Sequence, residues 1–171
     1  KDELGGKMKY ILIVVLFIIS LSVGAYFYLK FDKRKKFFSA LIMLAEKLSV
    51  EINFSRERLK VLIENFDASS RKNLLKVDEG YLAYLNKSAE LDSKEVFKNA
   101  QVLKQEEKDF ILLFLKTLGR SDVENQTKEI QNFLKRFQEM KEVCDGEFKK
   151  YGSLSLKLSV VAGLFFAIIL I

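Results

Sequence analysis

The sequence predicts an all-α protein, an antiparallel bundle of about six helices held between two membrane anchors. The chain of 171 residues contains no proline and only eight glycines, which favours long uninterrupted helices. Apolar residues recur with the three–four spacing of an α-helix, and no stretch alternates with period two for long. Two uncharged apolar segments lie towards the two ends of the chain, and lysines border both on the side of the intervening domain.

The first anchor is segment 10–29, twenty residues without a charge. As a helix it is about 30 Å long, the thickness of a hydrocarbon core. A cleaved signal peptide is the alternative, because small residues occur around Ser22 and Gly24. The apolar run nevertheless continues to Leu29 and ends in basic residues, so a retained transmembrane helix is preferred. Residues 1–9 are predicted as a short, tag-like extracytoplasmic N-terminus.

The second anchor is segment 156–171, in which fourteen uncharged residues follow Lys157. Those residues make a helix of about 21 Å, shorter than a full hydrocarbon core. Because the Lys157 side chain can snorkel to the interface, a short span that ends near the far leaflet is the preferred interpretation. The alternatives are a half-helix that dips into the membrane and a tail buried against partner helices.

Lysine-rich flanks set the expected topology. A basic cluster follows the first anchor, and Lys149, Lys150 and Lys157 lie at the start of the second. By the positive-inside rule both flanks face the cytoplasm, with residues 30–155 as a cytoplasmic domain and both termini outside. The formal charge of +6 also suits a nucleic-acid binder, but the position of the cluster directly after an apolar segment favours an anionic membrane surface. The members of this membrane-surface basic cluster are Lys30, Lys33, Arg34, Lys35 and Lys36.

Six helices are predicted for the cytoplasmic domain. The fourth opens at the capping-box-like pair Asp92 and Glu95. The fifth has apolar residues on more than one face and is expected to lie centrally. The sixth carries Cys144 on its apolar stripe, where a buried hydrophobe is preferred to a reactive thiol, and is expected to continue through Gly152 into the membrane. In chain order the six cover residues 37–52, 55–66, 74–85, 92–100, 110–118 and 123–151.

The composition argues against catalysis. The chain has no histidine, which removes the most frequent general base and metal ligand, and a single cysteine supplies neither a disulfide nor a zinc site. Acidic residues alternate with lysines along helix faces, a pattern typical of solvated ion pairs rather than of paired catalytic carboxylates. No phosphate loop or nucleophile elbow occurs. The protein is therefore predicted to be non-enzymatic, with no cofactor, no metal and no nucleic-acid partner.

The turn between the predicted fifth and sixth helices contains the candidate interface. Gly119 can take a positive φ and end the fifth helix. Ser121 and Glu124 can form a capping box for the sixth helix, and Asp122 places negative charge in its first turn. Arg120 has no task in the turn, and its planar, permanently charged guanidinium suits a partner carboxylate. Arg120 and Asp122 are the candidate partner-interface residues, at the tip of a helix about 45 Å long.

The motif LGRSDVENQTKEI, between an apolar and a long charged helix, and the tail KLSVVAGLF resemble the stage III sporulation protein AB family of endospore-forming bacteria. The resemblance covers nearly the whole chain. It implies a component of the channel-like complex that joins mother cell and forespore, in the mother-cell membrane that surrounds the forespore. It also implies a cytoplasmic domain similar to type II secretion F platform proteins.

The partners implied by the resemblance are membrane lipid and the other stage III sporulation complex proteins. Among them is a cytoplasmic secretion-type ATPase, stage III sporulation protein AA. Self-association into a homo-oligomer is a further expectation. The alternative function is a membrane-anchored signalling or adaptor coiled coil, which would need a long exposed heptad seam on the sixth helix.

Overall fold

The structure is a computed structural model that describes residues 2–54, 66–86, 96–118 and 123–170. These ranges contain six α-helices and one π-helical turn, and no strand occurs in them. The all-α fold class predicted from the sequence is therefore confirmed. In chain order the elements are α1 (Asp2–Phe54), α2 (Ala68–Leu75), α3 (Tyr81–Asn86), α4 (Gln105–Thr117), α5 (Val123–Glu147), the π-helix (Phe148–Gly152) and α6 (Ser153–Leu170).

The helix α1 joins the predicted first anchor and the predicted first domain helix into one element of 53 residues. No proline interrupts it, and after its first turns Gly24 is its one glycine. The predicted second helix, from residue 55, and the start of the predicted fourth helix, residues 92–95, lie outside the described residues. The number of six domain helices therefore stays a prediction.

The chain divides into two compact units. The anchor unit consists of Lys1–Asp32 and Asp145–Ile171, and the core unit consists of Lys33–Cys144. In the chain, the core unit is thus inserted between the two halves of the anchor unit. The predicted domain boundaries at residues 30 and 155 stay predictions.

The core unit contains a hydrophobic cluster to which α1, α4 and α5 all contribute. The expected central position of α4 stays a prediction. On α5, the buried apolar positions include Cys144, which is 2% exposed. Burying a leucine, isoleucine or phenylalanine side chain stabilises the fold by about 1.5–3 kcal/mol. The cluster includes Phe37, Phe38, Leu41, Leu44 and Leu48 of α1, Ile111, Phe114 and Leu115 of α4, and Ile130 and Phe137 of α5.

The predicted third helix is two shorter helices. The helix α2 ends at Leu75 and α3 begins at Tyr81. Between them Asp78 bends the chain, because its Oδ1 accepts a hydrogen bond of 2.9 Å from the Gly80 N–H. The Tyr84 hydroxyl donates to the same carboxylate at 3.1 Å. One side-chain hydrogen bond to the backbone and the i→i+3 backbone bond from the Tyr81 N–H to the Asp78 carbonyl oxygen therefore replace the helical pattern at this point.

The prediction of helix at residues 96–99 is wrong, because these residues form a turn. Phe97 has a φ of 61°, in the left-handed region that an α-helix cannot contain. Its ring is buried against two tyrosines, with centroids 6.0 Å from Tyr81 and 5.5 Å from Tyr84. Aromatic packing in the core unit thus overrides the local helical pattern.

Two helical stretches, each of which includes one apolar segment of the anchor unit, have the length and composition to cross a membrane. The stretches that qualify are Met8–Val50 and Asn125–Leu170. Only 6% and 11% of their most apolar windows are buried, so these are not core helices of a soluble protein. The helix α6 has 18 residues, and at about 1.5 Å each it is about 27 Å long. This length includes the residues from Ser153 to Lys157, so the prediction of about 21 Å for the uncharged residues after Lys157 stays a prediction.

Candidate functional site

The predicted interface turn lies outside the described residues. This applies to Gly119, Arg120, Ser121 and Asp122, while Glu124 belongs to α5 without a described side chain. The capping box and the interface role of Arg120 and Asp122 therefore stay predictions.

The two helices that flank this turn pack through four phenylalanine rings. Phe110 and Phe114 of α4 contact Phe133 and Phe137 of α5, with centroid distances of 5.1–5.6 Å. Offset and edge-to-face pairs of this kind are worth about 0.5–1.5 kcal/mol each beyond their buried area. Aromatic packing therefore holds the described parts of α4 and α5 together.

The predicted basic cluster does not behave as one surface. Lys33 and Lys36 are exposed, and Lys30 and Lys35 are partly exposed. Arg34 is only 5% exposed and is paired inside the core unit with Glu107. Its assignment to the membrane surface is therefore corrected, because a buried and neutralised guanidinium is not available to lipid headgroups.

The Arg34–Glu107 pair joins α1 to the start of α4. The Arg34 Nε donates to both carboxylate oxygens, at 3.2 and 3.1 Å, and Nη2 donates to Oε1 as well. Glu107 Oε2 also accepts from the Lys104 N–H at 2.8 Å, which satisfies one of the donors at the helix N-terminus. Both residues are 5% exposed, so each charge depends on the other for its solvation.

In the anchor unit, α1 and α6 form an antiparallel pair held by serine hydroxyls. The Ser20 Oγ donates to the Ser159 carbonyl oxygen at 2.6 Å. The Ser155 Oγ donates at 2.8 Å to the Gly152 carbonyl oxygen of the same chain segment and lies 3.3 Å from the Gly24 carbonyl oxygen of α1. Hydrogen bonds between apolar helices are worth about 0.6–2 kcal/mol each in a membrane. These contacts make the two anchors one packed element.

Glycines allow the close approach of these two helices. A Cβ at Gly24 would lie 2.5 Å from the Ser159 Cβ and 2.9 Å from the Ser155 carbonyl oxygen. A Cβ at Gly163 would lie 2.5 Å from a ring carbon of Phe17. From the sequence, Gly24 is considered only as part of a possible cleavage site, although small residues four apart in two apolar segments are a recognised signal for helix pairing.

One end of the helix pair carries an aromatic belt, defined by Tyr28 and Phe31 of α1 and Phe148 and Tyr151 of the π-helix. The Tyr28 and Phe148 ring centroids are 5.2 Å apart, and those of Phe31 and Tyr151 are 6.2 Å apart. Aromatic rings of this kind are enriched at membrane–water interfaces. An aromatic cluster at the end of two apolar helices is thus of the kind found where transmembrane helices meet the interface.

Titratable groups of the core unit point to packing rather than to chemistry. Burial raises the pKa of the Tyr81 phenol well above its usual value. Burial also raises the pKa of Tyr84, and the negative charge of Asp78 adds to this effect. Hydrogen bonds from Ser70, including one of 2.8 Å from its N–H, lower the pKa of the exposed Asp67 carboxyl. Within the described ranges, no group of three or more acidic or cysteine side chains is placed to hold a metal ion.

The family model of stage III sporulation protein AB matches residues 9–171, nearly the whole chain. The chain belongs to the stage III sporulation protein AB family. The resemblance given by the hairpin motif and the tail is thereby confirmed, and the protein is a sporulation protein. No curated protein and no solved structure matches the chain significantly.

The region that defines the stage III sporulation protein AB family includes both members of the helix pair as well as the core unit. The paired anchors are thus part of the family's sequence pattern and not an appendage to it. The likeness to type II secretion F proteins stays a prediction, as does the absence of enzymatic activity.

Proposed function

We propose that the protein is a non-enzymatic membrane platform in the complex that connects mother cell and forespore. In this function the anchor unit holds the chain in the mother-cell membrane around the forespore. The core unit faces the cytoplasm and docks a secretion-type ATPase, stage III sporulation protein AA. The proposal includes the expected likeness to type II secretion F platform proteins and the possible arrangement of several copies in one complex.

The single observation that carries the proposal is the paired anchor within a sporulation family. Two apolar helices are packed by small residues, and the whole core unit is inserted between them in the chain. In this proposal the chain enters the membrane on both sides of the core unit, and two such connections suit a platform that stays bound to the membrane. The rigid phenylalanine contacts of the α4–α5 hairpin suit a docking element whose turn carries Arg120.

The burial of α5 weighs against the alternative of a signalling or adaptor coiled coil. Its seam positions Ile130, Phe137 and Cys144 are 2%, 0% and 2% exposed, because they pack within the core unit. A coiled coil needs such positions for its partner helix. The platform therefore remains the preferred function.

The topology of the proposal can be tested by cysteine labelling. In a Cys144→Ser background, single cysteines are introduced near each terminus and at Arg120. Because lysines flank both ends of the core unit, an impermeant maleimide should label the terminal positions in intact cells and label position 120 only after lysis. Labelling of position 120 in intact cells would reverse the predicted orientation.

The docking role of the turn predicts opposite rankings for two alanine variants. Arg120→Ala should change the free energy of unfolding by less than about 0.5 kcal/mol, as expected for an exposed site. Ser121→Ala should cost about 1 kcal/mol through the lost cap. Binding of purified stage III sporulation protein AA should show the reverse order, with Arg120→Ala weakening it more.

The same experiment separates an interface residue from a structural one. If Arg120→Ala binds the ATPase normally and unfolds more easily than Ser121→Ala, the arginine serves the turn. A pull-down with the intact chain from sporulating cells is the complementary test. Recovery of the complex without the ATPase, under conditions in which other stage III proteins are captured, would contradict the docking function.

A further inference from the structure

Three lysines lie at the level of the aromatic belt. On α1, Lys30 lies between the two belt residues of that helix, and on the π-helix Lys149 and Lys150 lie between the other two. Since the belt rings contact each other in pairs across the antiparallel helices, the lysines of both helices lie at one height. Lysines that are at least 119 positions apart in the sequence, counted from residue 30 to residue 149, therefore lie at the same height along the helix pair.

These lysines carry charge that the protein does not neutralise. Lys149 and Lys150 are exposed, Lys30 is partly exposed, and none of the three forms an ion pair with a described residue. The Lys150 Nζ lies 5.1 Å from the centroid of the Tyr151 ring, a cation–π contact that leaves its N–H donors available. The acidic neighbours Asp32 and Glu147 already have interactions of their own.

Lys149 and Lys150 belong to the π-helix, where both side chains are exposed while Gly152 is buried. π-Helical turns occur mostly as single insertions and often at functional sites.

The position of the belt relative to the apolar helices indicates the ligand. Beyond it α1 runs through the uncharged segment 10–29, and α6 extends for 18 residues in which Lys157 is the one charged residue, so we place the hydrocarbon on that side. Ammonium groups at this height meet lipid phosphates, to which they donate charge-assisted hydrogen bonds. A zwitterionic lipid carries a cationic group beside its phosphate, and that group competes with the lysines for the phosphate. An anionic lipid such as phosphatidylglycerol carries no such cation.

We propose that Lys30, Lys149 and Lys150, together with the aromatic belt, form a binding site for the headgroup phosphate of an anionic phospholipid. The site goes beyond the platform function, because it assigns a lipid selectivity to the anchor unit that needs no other protein. Each lysine near such a surface contributes a factor of about five to the association.

The test measures lipid selectivity of the full chain in phosphatidylcholine vesicles. Spin-labelled phosphatidylglycerol and spin-labelled phosphatidylcholine are compared by their motionally restricted fractions. The wild type should prefer phosphatidylglycerol, and Lys149→Gln/Lys150→Gln should lose most of that preference. Lys149→Arg/Lys150→Arg should keep it, which separates loss of charge from loss of fold.

The matched control is Lys98→Gln/Lys135→Gln, which removes two exposed lysines of the core unit. It should leave the preference unchanged. The proposal is overturned if the wild type shows no preference, if the control loses as much as the belt variant, or if the arginine variant loses it too. Displacement of the labelled lipid by millimolar inorganic phosphate would also overturn it, since it would indicate a site for soluble anions.

Discussion

Arg34→Ala should be among the most destabilising substitutions in the core unit, with an expected loss of about 3–5 kcal/mol in the free energy of unfolding. The reason is that Glu107 would keep its negative charge in a site where it is 5% exposed. Glu107→Ala should be equally destabilising, because it leaves the Arg34 guanidinium buried without a countercharge and removes the acceptor of the Lys104 N–H. The urea midpoint of the full chain in detergent, followed by circular dichroism, measures the effect.

The chain offers a matched control in the exposed pair of Arg136 and Glu139. Their charged groups are 2.7 Å apart, but the side chains are 58% and 48% exposed. Arg136→Ala should therefore cost less than about 1 kcal/mol, as exposed ion pairs do. The double variant Arg34→Met/Glu107→Leu should recover much of the lost stability, since an apolar replacement leaves no buried charge. Equal costs for Arg34→Ala and Arg136→Ala would show that the buried pair is not a principal contact.

Gly24→Ala should separate the two membrane helices or strain their packing, at a cost of about 1–3 kcal/mol, as for other overpacked sites. The added Cβ meets the Ser155 carbonyl oxygen at 2.9 Å, and backbone cannot rotate away as a side chain can. Nitroxide labels at Ile11 and Ile168, which are 63% and 74% exposed, would report the separation by pulsed electron resonance in a Cys144→Ser background. The expected result is a broadened and longer distance distribution.

Gly146→Ala is the control for the same change of residue. No atom lies within 4 Å of a Cβ at this position, so the substitution should stabilise the helix by up to about 1 kcal/mol through its higher propensity. The distance between the two labels should not change. If Gly24→Ala behaves as Gly146→Ala does, close contact between the anchors is not required for their pairing.

Much of the fold could be predicted because its signals are local. The uncharged segment 10–29, the apolar spacing on α4 and α5, and the burial of Cys144 follow from periodicity along one helix. A first error arose where contacts with distant residues replaced local ones, because Phe97 packs against Tyr81 and Tyr84 instead of continuing a helix. A second arose from local hydrogen bonds, because the predicted third helix is interrupted at Asp78, whose carboxylate accepts from the Gly80 N–H and the Tyr84 hydroxyl.

The sequence by itself determined the helical class, the two apolar anchors and the family, since composition, hydropathy and motif spacing are properties of consecutive residues. Only the tertiary structure decided the partner of Arg34, because Glu107 lies 73 positions away and no local pattern distinguishes it from other glutamates. The same holds for the contact of Gly24 with Ser159 and for the common height of Lys30 and Lys150. Such relations depend on how helices pack against each other, and packing is decided by shape and burial in three dimensions rather than by neighbours in the chain.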